Sequence, residues 1–205
     1  MFYCLAGLVA GCVPIVSLNP LLTKETIVFD EKLLGTWFED SNNPGAAWDW
    51  EFARFEESAV KGLPEELRSD FRRVYRLNLT NKMGPKWVLA ACLVKLGDRR
   101  FLDIFPDQFL SGQSDAEKAY NALFLLRSHS FLRVDAIGDQ LKLGMMFDDE
   151  FKKLVEAEPK AVAYATTERG PVLTGSTEEL QAFVTKYADD ERLFVGGFTL
   201  PRKTE

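Results

Sequence analysis

Trp48, Trp50 and Phe52 alternate with Asp49, Glu51 and Ala53. A period of two places the three rings on one face of an extended strand and their neighbours on the other. Tyr75, Leu77 and Leu79 repeat the pattern against Arg76, Asn78 and Thr80. Strands with one apolar face must bury it against another layer, so the alternation commits this chain to a sheet. Turn chemistry then cuts the sheet into hairpins. Ser41-Asn42-Asn43-Pro44-Gly45 precedes the first run, Asn81-Lys82-Met83-Gly84-Pro85 follows the second, and Gly97-Asp98 and Gly138-Asp139 are tight-turn pairs.

Further strands are expected at residues 34–40, in the apolar run 87–94, at 101–105 before Pro106, and at 130–137, 141–147, 162–167 and 193–200. Three stretches read as helices. Residues 63–71 open with Pro64 and Glu65-Glu66, and 148–157 place Phe151, Leu154 and Val155 on one side. Residues 176–188 carry a Ser176/Glu179 capping pair and an apolar stripe of Leu180, Phe183, Val184 and Tyr187. Residues 111–121 are polar and read as a loop with a helical turn near 115–121. About nine short strands with few helices and no internal repeat predict a mainly β fold, an antiparallel barrel or curled sheet with accessory helices. The 205 residues suit a single domain, with its body at 33–205.

Twenty-five Lys and Arg against 31 Asp and Glu give a net charge of −6, with the basic pairs Arg72-Arg73 and Arg99-Arg100 isolated. Nucleic acid is therefore not an expected partner, since such binding draws on clustered cations. Chemistry is sparse. His129 is the only histidine and is expected at a rim or surface. Ser128 points to the opposite face of the same strand, and Asp135 lies roughly 20 Å away at about 3.3 Å per residue, so this strand alone cannot form a triad. Asp148-Asp149-Glu150 is expected to complement a helix dipole rather than to bind metal. Asp103 alternates with Phe101 and Phe105 and is expected in a partly apolar setting, with a turn or backbone partner. No Gly-rich phosphate loop or Cys-X-X-Cys occurs, so no catalytic residue, metal or cofactor is expected, and no enzymatic activity.

The N-terminus is uncharged until Lys24, and Phe2–Ala10 is a short apolar run ending in Ala10-Gly11 before Cys12. The run is shorter than the roughly 20 residues that span a bilayer but matches the 7–15 or so of a secretory h-region. Val9-Ala10-Gly11-Cys12 resembles the lipobox of bacterial lipoproteins. That resemblance implies a signal peptide at 1–11, a diacylated Cys12 with a tether and lead-in over 12–32, and a membrane-anchored, envelope protein facing the periplasm or the exterior. No Lys or Arg precedes the run, which leaves open a buried N-terminal segment with Cys12 as a small core residue. With Cys4 removed alongside the signal and Cys12 acylated, Cys92 would stand without a disulfide partner.

Leu34-Gly35-Thr36-Trp37 resembles the Gly-X-Trp motif of lipocalins and related calycins. Together with Cys12, Leu93–Gly97 and Leu102–Pro106, it is similar to lipocalin-like bacterial lipoproteins. The resemblance implies that Gly35 bends the chain at the barrel floor, that Trp37 packs across the closed end, and that the late helix packs outside. Trp37, Trp48, Trp50 and Phe52 then either line a ligand cavity or fill the barrel. The first option is a membrane-tethered binder of a small apolar or amphiphilic molecule. The second is a filled barrel acting as a structural or protein-interaction module, whose protein partner the sequence does not identify.

Overall fold

A computed structural model describes residues 14–38, 48–63, 65–81, 86–106 and 126–203. The lead-in contributes two short strands, β1 (Val16–Ser17) and β2 (Ile27–Val28). The wall follows as β3 (Gly35–Phe38), β4 (Trp48–Arg54), β5 (Val74–Asn81), β6 (Lys86–Leu96), β7 (Arg99–Pro106), β8 (Ser130–Ile137) and β9 (Gln140–Met146). After an excursion containing β10 (Tyr164–Thr167) and β11 (Gly170–Leu173), the chain returns as β12 (Phe194–Pro201). From β3 to β9 each wall strand pairs antiparallel with the next, and β12 pairs with β9. The result is a nearly closed barrel of eight strands. Trp37 faces Trp50 across β3–β4, and Trp50 faces Leu79 across β4–β5, so one inward stripe runs through three strands.

The ring closes at a seam between β3 and the residues after β12. Lys203 N–H donates to Thr36 O at 2.8 Å, and Trp37 and Arg202 form an isolated bridge. The Arg202 guanidinium lies 4.1 Å from the Trp37 ring centroid and donates from Nη1 to Leu34 O at 2.8 Å and from Nη2 to Lys32 O. Trp37 Nε1–H donates to Leu33 O at 2.9 Å, so the buried indole is satisfied. Gly35 has φ +116°, and a Cβ built there would sit 2.9 Å from Arg202 Nη1. The positive φ favours glycine, and a Cβ would also displace the tip of the arginine from its place at the seam.

Two cores share the wall. The inner one holds Trp37, Trp50, Phe52, Leu77, Leu93, Leu102 and their neighbours. The outer one lies between the far face of β5–β9 and a covering layer. That layer comprises α2 (Asp148–Ala157), α3 (Thr177–Lys186) and the small sheet β1-β11-β10. Helix α3 starts at the Ser176/Glu179 capping box and buries Leu180, Phe183 and Val184. Helix α2 begins at its three acids and buries Phe151 and Val155. The helix expected over 63–71 is instead a single turn, α1 (Glu65–Arg68), between 3-10 turns at Glu57–Gly62 and Phe71–Arg73. Leu67 is buried, and packing of that kind supports only one turn. Strands β1 and β11 were too short for periodicity to reveal.

The segment expected as a tether is part of the body from Pro14 onward. Ile15, Leu21, Leu22 and Ile27 are buried, β1 pairs with β11, and β2 pairs with β6. Burial of each such side chain contributes about 1.5–3 kcal/mol, which holds the segment down. Residues 1–13, with the signal and Cys12, lie outside the described residues, as do the turn at 41–45 and the loop at 111–121. No helix among the described residues is long and apolar enough to cross a membrane.

Gly35→Ala is expected to lower stability by about 1–3 kcal/mol in urea unfolding, because the left-handed φ and the seam arginine are both disturbed. A loss within experimental error would contradict this account of the seam. A second expectation concerns Tyr75, which stacks on Phe29 at 4.6 Å, accepts from Asp30 N–H at 2.7 Å and donates to Asp30 O at 3.1 Å. Burial pushes its phenol up to about 12 from 10.0. Between those values the unfolded chain loses the proton first, so stability should fall as pH rises through that window. Tyr75→Phe should remove this part of the alkaline slope, as read from urea midpoints against pH.

Candidate functional site

The barrel interior is the first place to look. Trp37, Trp48, Trp50 and Phe52 all face inward and are 0%, 7%, 3% and 1% exposed. Around them Leu77, Ala91, Leu93, Leu102, Leu132, Leu141, Leu143 and Leu200 show no accessible surface. A void able to hold water would leave area on the side chains that line it. These side chains have none, so the section they form is packed solid, as an eight-stranded barrel of this side-chain size allows. Phe198, from β12, closes against Trp50 with ring centroids 6.2 Å apart. Gly35 and Trp37 sit at the seam, not in a cavity.

The outer wall holds a different arrangement. Asp103, at the middle of β7, is completely buried between Cys92 on β6 and Phe131 on β8. Its Oδ2 accepts Leu21 N–H at 2.8 Å, and its Oδ1 lies 2.7 Å from His129 Nδ1. An ionised carboxylate only accepts, so the proton of this bond belongs on Nδ1. Leu21 is in turn fixed from α3, where the Gln181 amide donates to Leu21 O at 2.8 Å. His129 is 6% exposed and stacks beside Phe105, with ring centroids 5.0 Å apart. Its backbone exchanges two 2.8 Å hydrogen bonds with Ser17 on β1. Carboxylate, imidazole and lead-in are thus locked into one unit.

This corrects the expectation for His129: it is a buried, paired residue, not a rim histidine. Asp135 is engaged with Arg133, and the carboxylate that reaches the imidazole comes from the neighbouring strand. The backbone partner expected for Asp103 is present as Leu21. The pairing with His129 was hidden because more than twenty residues separate β7 from His129, and no turn motif fixes their register. The alternation of Asp103 with two phenylalanines was the one local signal, since an acid on an apolar stripe needs a partner. Asp148 opens α2 and is bonded by Lys152 at 2.9 Å, in keeping with a helix-start role. Among the described residues no group of three His, Cys, Asp or Glu could hold a metal ion.

Chemically, an Asp–His pair presents an oriented imidazole whose Nε2 is free to give or take a proton. Nucleophilic catalysis would also need a hydroxyl or thiol bonded to that nitrogen. No such bond exists among the described residues. Cys92 lies beside Asp103 and is wholly buried; burial, then the Asp103 charge, raises its thiol well above the ordinary range. A protonated buried thiol is inert. In a Cys4→Ser, Cys12→Ser chain, a thiol reagent should therefore leave Cys92 unlabelled in the native state and label it fully in denaturant. Rapid native labelling would show that the wall opens. The chain matches no protein-family model, no curated protein and no solved structure.

Proposed function

We propose that this protein is a filled, lipocalin-like barrel of a bacterial cell envelope. It acts from its outer surface as a structural or protein-interaction module and is not an enzyme. The observation that carries this reading is the packed interior: rings that could line a ligand cup instead exclude solvent from one another. Carriage of an apolar molecule inside the barrel would require those side chains to move apart, forfeiting the contacts that hold them. The lipocalin-like part is supported by Gly35 and Trp37 at the closing seam and by α3 packed outside the wall.

Tethering to a membrane through acyl chains on Cys12 belongs to the same proposal and rests on the Val9-Ala10-Gly11-Cys12 sequence. Two chains give stable attachment where one gives marginal binding. The described body begins at Pro14, which bridges Phe147, and the two peptide steps back to Cys12 can reach at most about 7 Å. An anchored barrel would lie directly against the lipid surface.

Native mass spectrometry, followed by organic extraction, tests the filled interior. A clean polypeptide mass, unchanged by added fatty acid, is expected; a discrete lipid released from the barrel would overturn the reading. Trp50→Ala should lower stability by about 3–5 kcal/mol without creating or abolishing hydrophobic-dye binding in the native protein. Cys12→Ala should move the chain from the membrane to the soluble fraction and remove the acyl mass. Equal partitioning of both forms would sink the anchor.

A further inference from the structure

Between the lead-in and α1, the outer wall carries a cavity of about 170 Å³ lined by Pro20, Leu22, Lys24, Leu67, Arg127 and His129 among others. We propose that this cavity binds a small carboxylate bearing a short apolar group, with His129 Nε2 and the Lys24 ammonium holding the anion.

Four observations lead there. His129 Nδ1 is committed to Asp103, and its ring is fixed by Phe105 and by the backbone pairing to Ser17. The remaining nitrogen, Nε2, has no hydrogen-bond partner among the described residues, although the side chain is more than nine-tenths buried and lines the cavity. With one nitrogen fixed and the other facing the cavity, the ring presents an oriented hydrogen-bonding group there. Second, Lys24 brings a cationic side chain to the cavity, and none of the described residues lining it is a carboxylate. Glu25 and Asp70 are the acids that feel Lys24, and Asp70 is bound to Arg73 in an ion pair.

Third, a carboxylate entering the cavity would face the Lys24 ammonium and, where its binding is coupled to proton uptake at Nε2, the imidazole whose other side is held by Asp103; such bonds are charge-assisted. Fourth, Pro20, Leu22 and Leu67 make the rest of the lining apolar. The volume equals about five or six waters, enough for a carboxylate and a few carbons. A phosphate would leave that apolar wall unmatched.

The only histidine of the chain gives an unambiguous probe by NMR of the whole protein. Sodium butyrate is added at slightly acidic pH while the ring nitrogens and Hε1 of His129 are followed, with phosphate and chloride at equal ionic strength as comparisons. A saturable shift is expected, with Nε2 moving toward its protonated position and a dissociation constant in the millimolar range or tighter. Lys24→Ala should weaken binding at least tenfold. Its side chain is exposed, so the variant keeps the fold even where His129→Gln does not. Phosphate should bind at least tenfold more weakly than butyrate. An unresponsive histidine, phosphate binding equal to butyrate, or full affinity in Lys24→Ala would each overturn the proposal.

Discussion

Strands β6 and β7 carry apolar side chains on both faces, and most of the architecture answers that constraint. Ala91, Leu93 and Leu102 point into the barrel, while Ala90, Cys92, Val94 and Phe101 point out of it, and all are wholly buried. Closing the sheet covers one face only. The other would remain an exposed apolar patch of a kind that soluble surfaces rarely tolerate. The chain therefore spends its lead-in, both longer helices and the small sheet on a second layer over the same strands. That layer is distant in sequence, and Leu21, Gln181 and Asp103 show how it is stitched: helix to lead-in, and lead-in to wall.

The barrel was legible because its signals are local. Alternation at 48–53 and 75–80 named the inward face, and Gly97 and Gly138 marked hairpins that the structure contains. Gly35 and Trp37 lie at the lateral seam between β3 and the residues after β12, where Gly35 takes a positive φ. The covering layer was only half legible. Helix α3 advertised itself through its cap, whereas β1 and β11 are too short to have a period, and Pro171 argues against a strand. Leu21, Leu22 and Ile27 looked like linker because their partners lie some seventy to more than a hundred residues away in the chain. The Asp103–His129 pair failed to emerge for the same reason: residue types were visible, register was not.

That pair also shows how a site can sit on the outside of a barrel without being exposed. Asp103 is buried by the lead-in, not by its own sheet, so the polar unit exists only once the second layer has docked. Docking in turn gains a hydrogen bond from Leu21 to a carboxylate, stronger than one to a neutral acceptor. The polar group and its apolar cover therefore stabilise one another. The cavity beside them lies in the same joint between wall and cover.

The seam sets an order on folding. The Arg202 side chain reaches Leu34 O across 168 positions of sequence, so β3 can pair with its neighbour β4 long before the strand that completes its other edge arrives. Until then that edge of the sheet stays open, with its backbone groups free to recruit any extended segment nearby. Such long-range closure is slow compared with hairpin formation. A folding chain passes through an almost finished barrel with one unsealed side, for which the corresponding edge of another copy is a ready substitute. Concentrated, partly folded chains are where swapping of partners is the hazard, and it ends when Arg202 reaches Leu34.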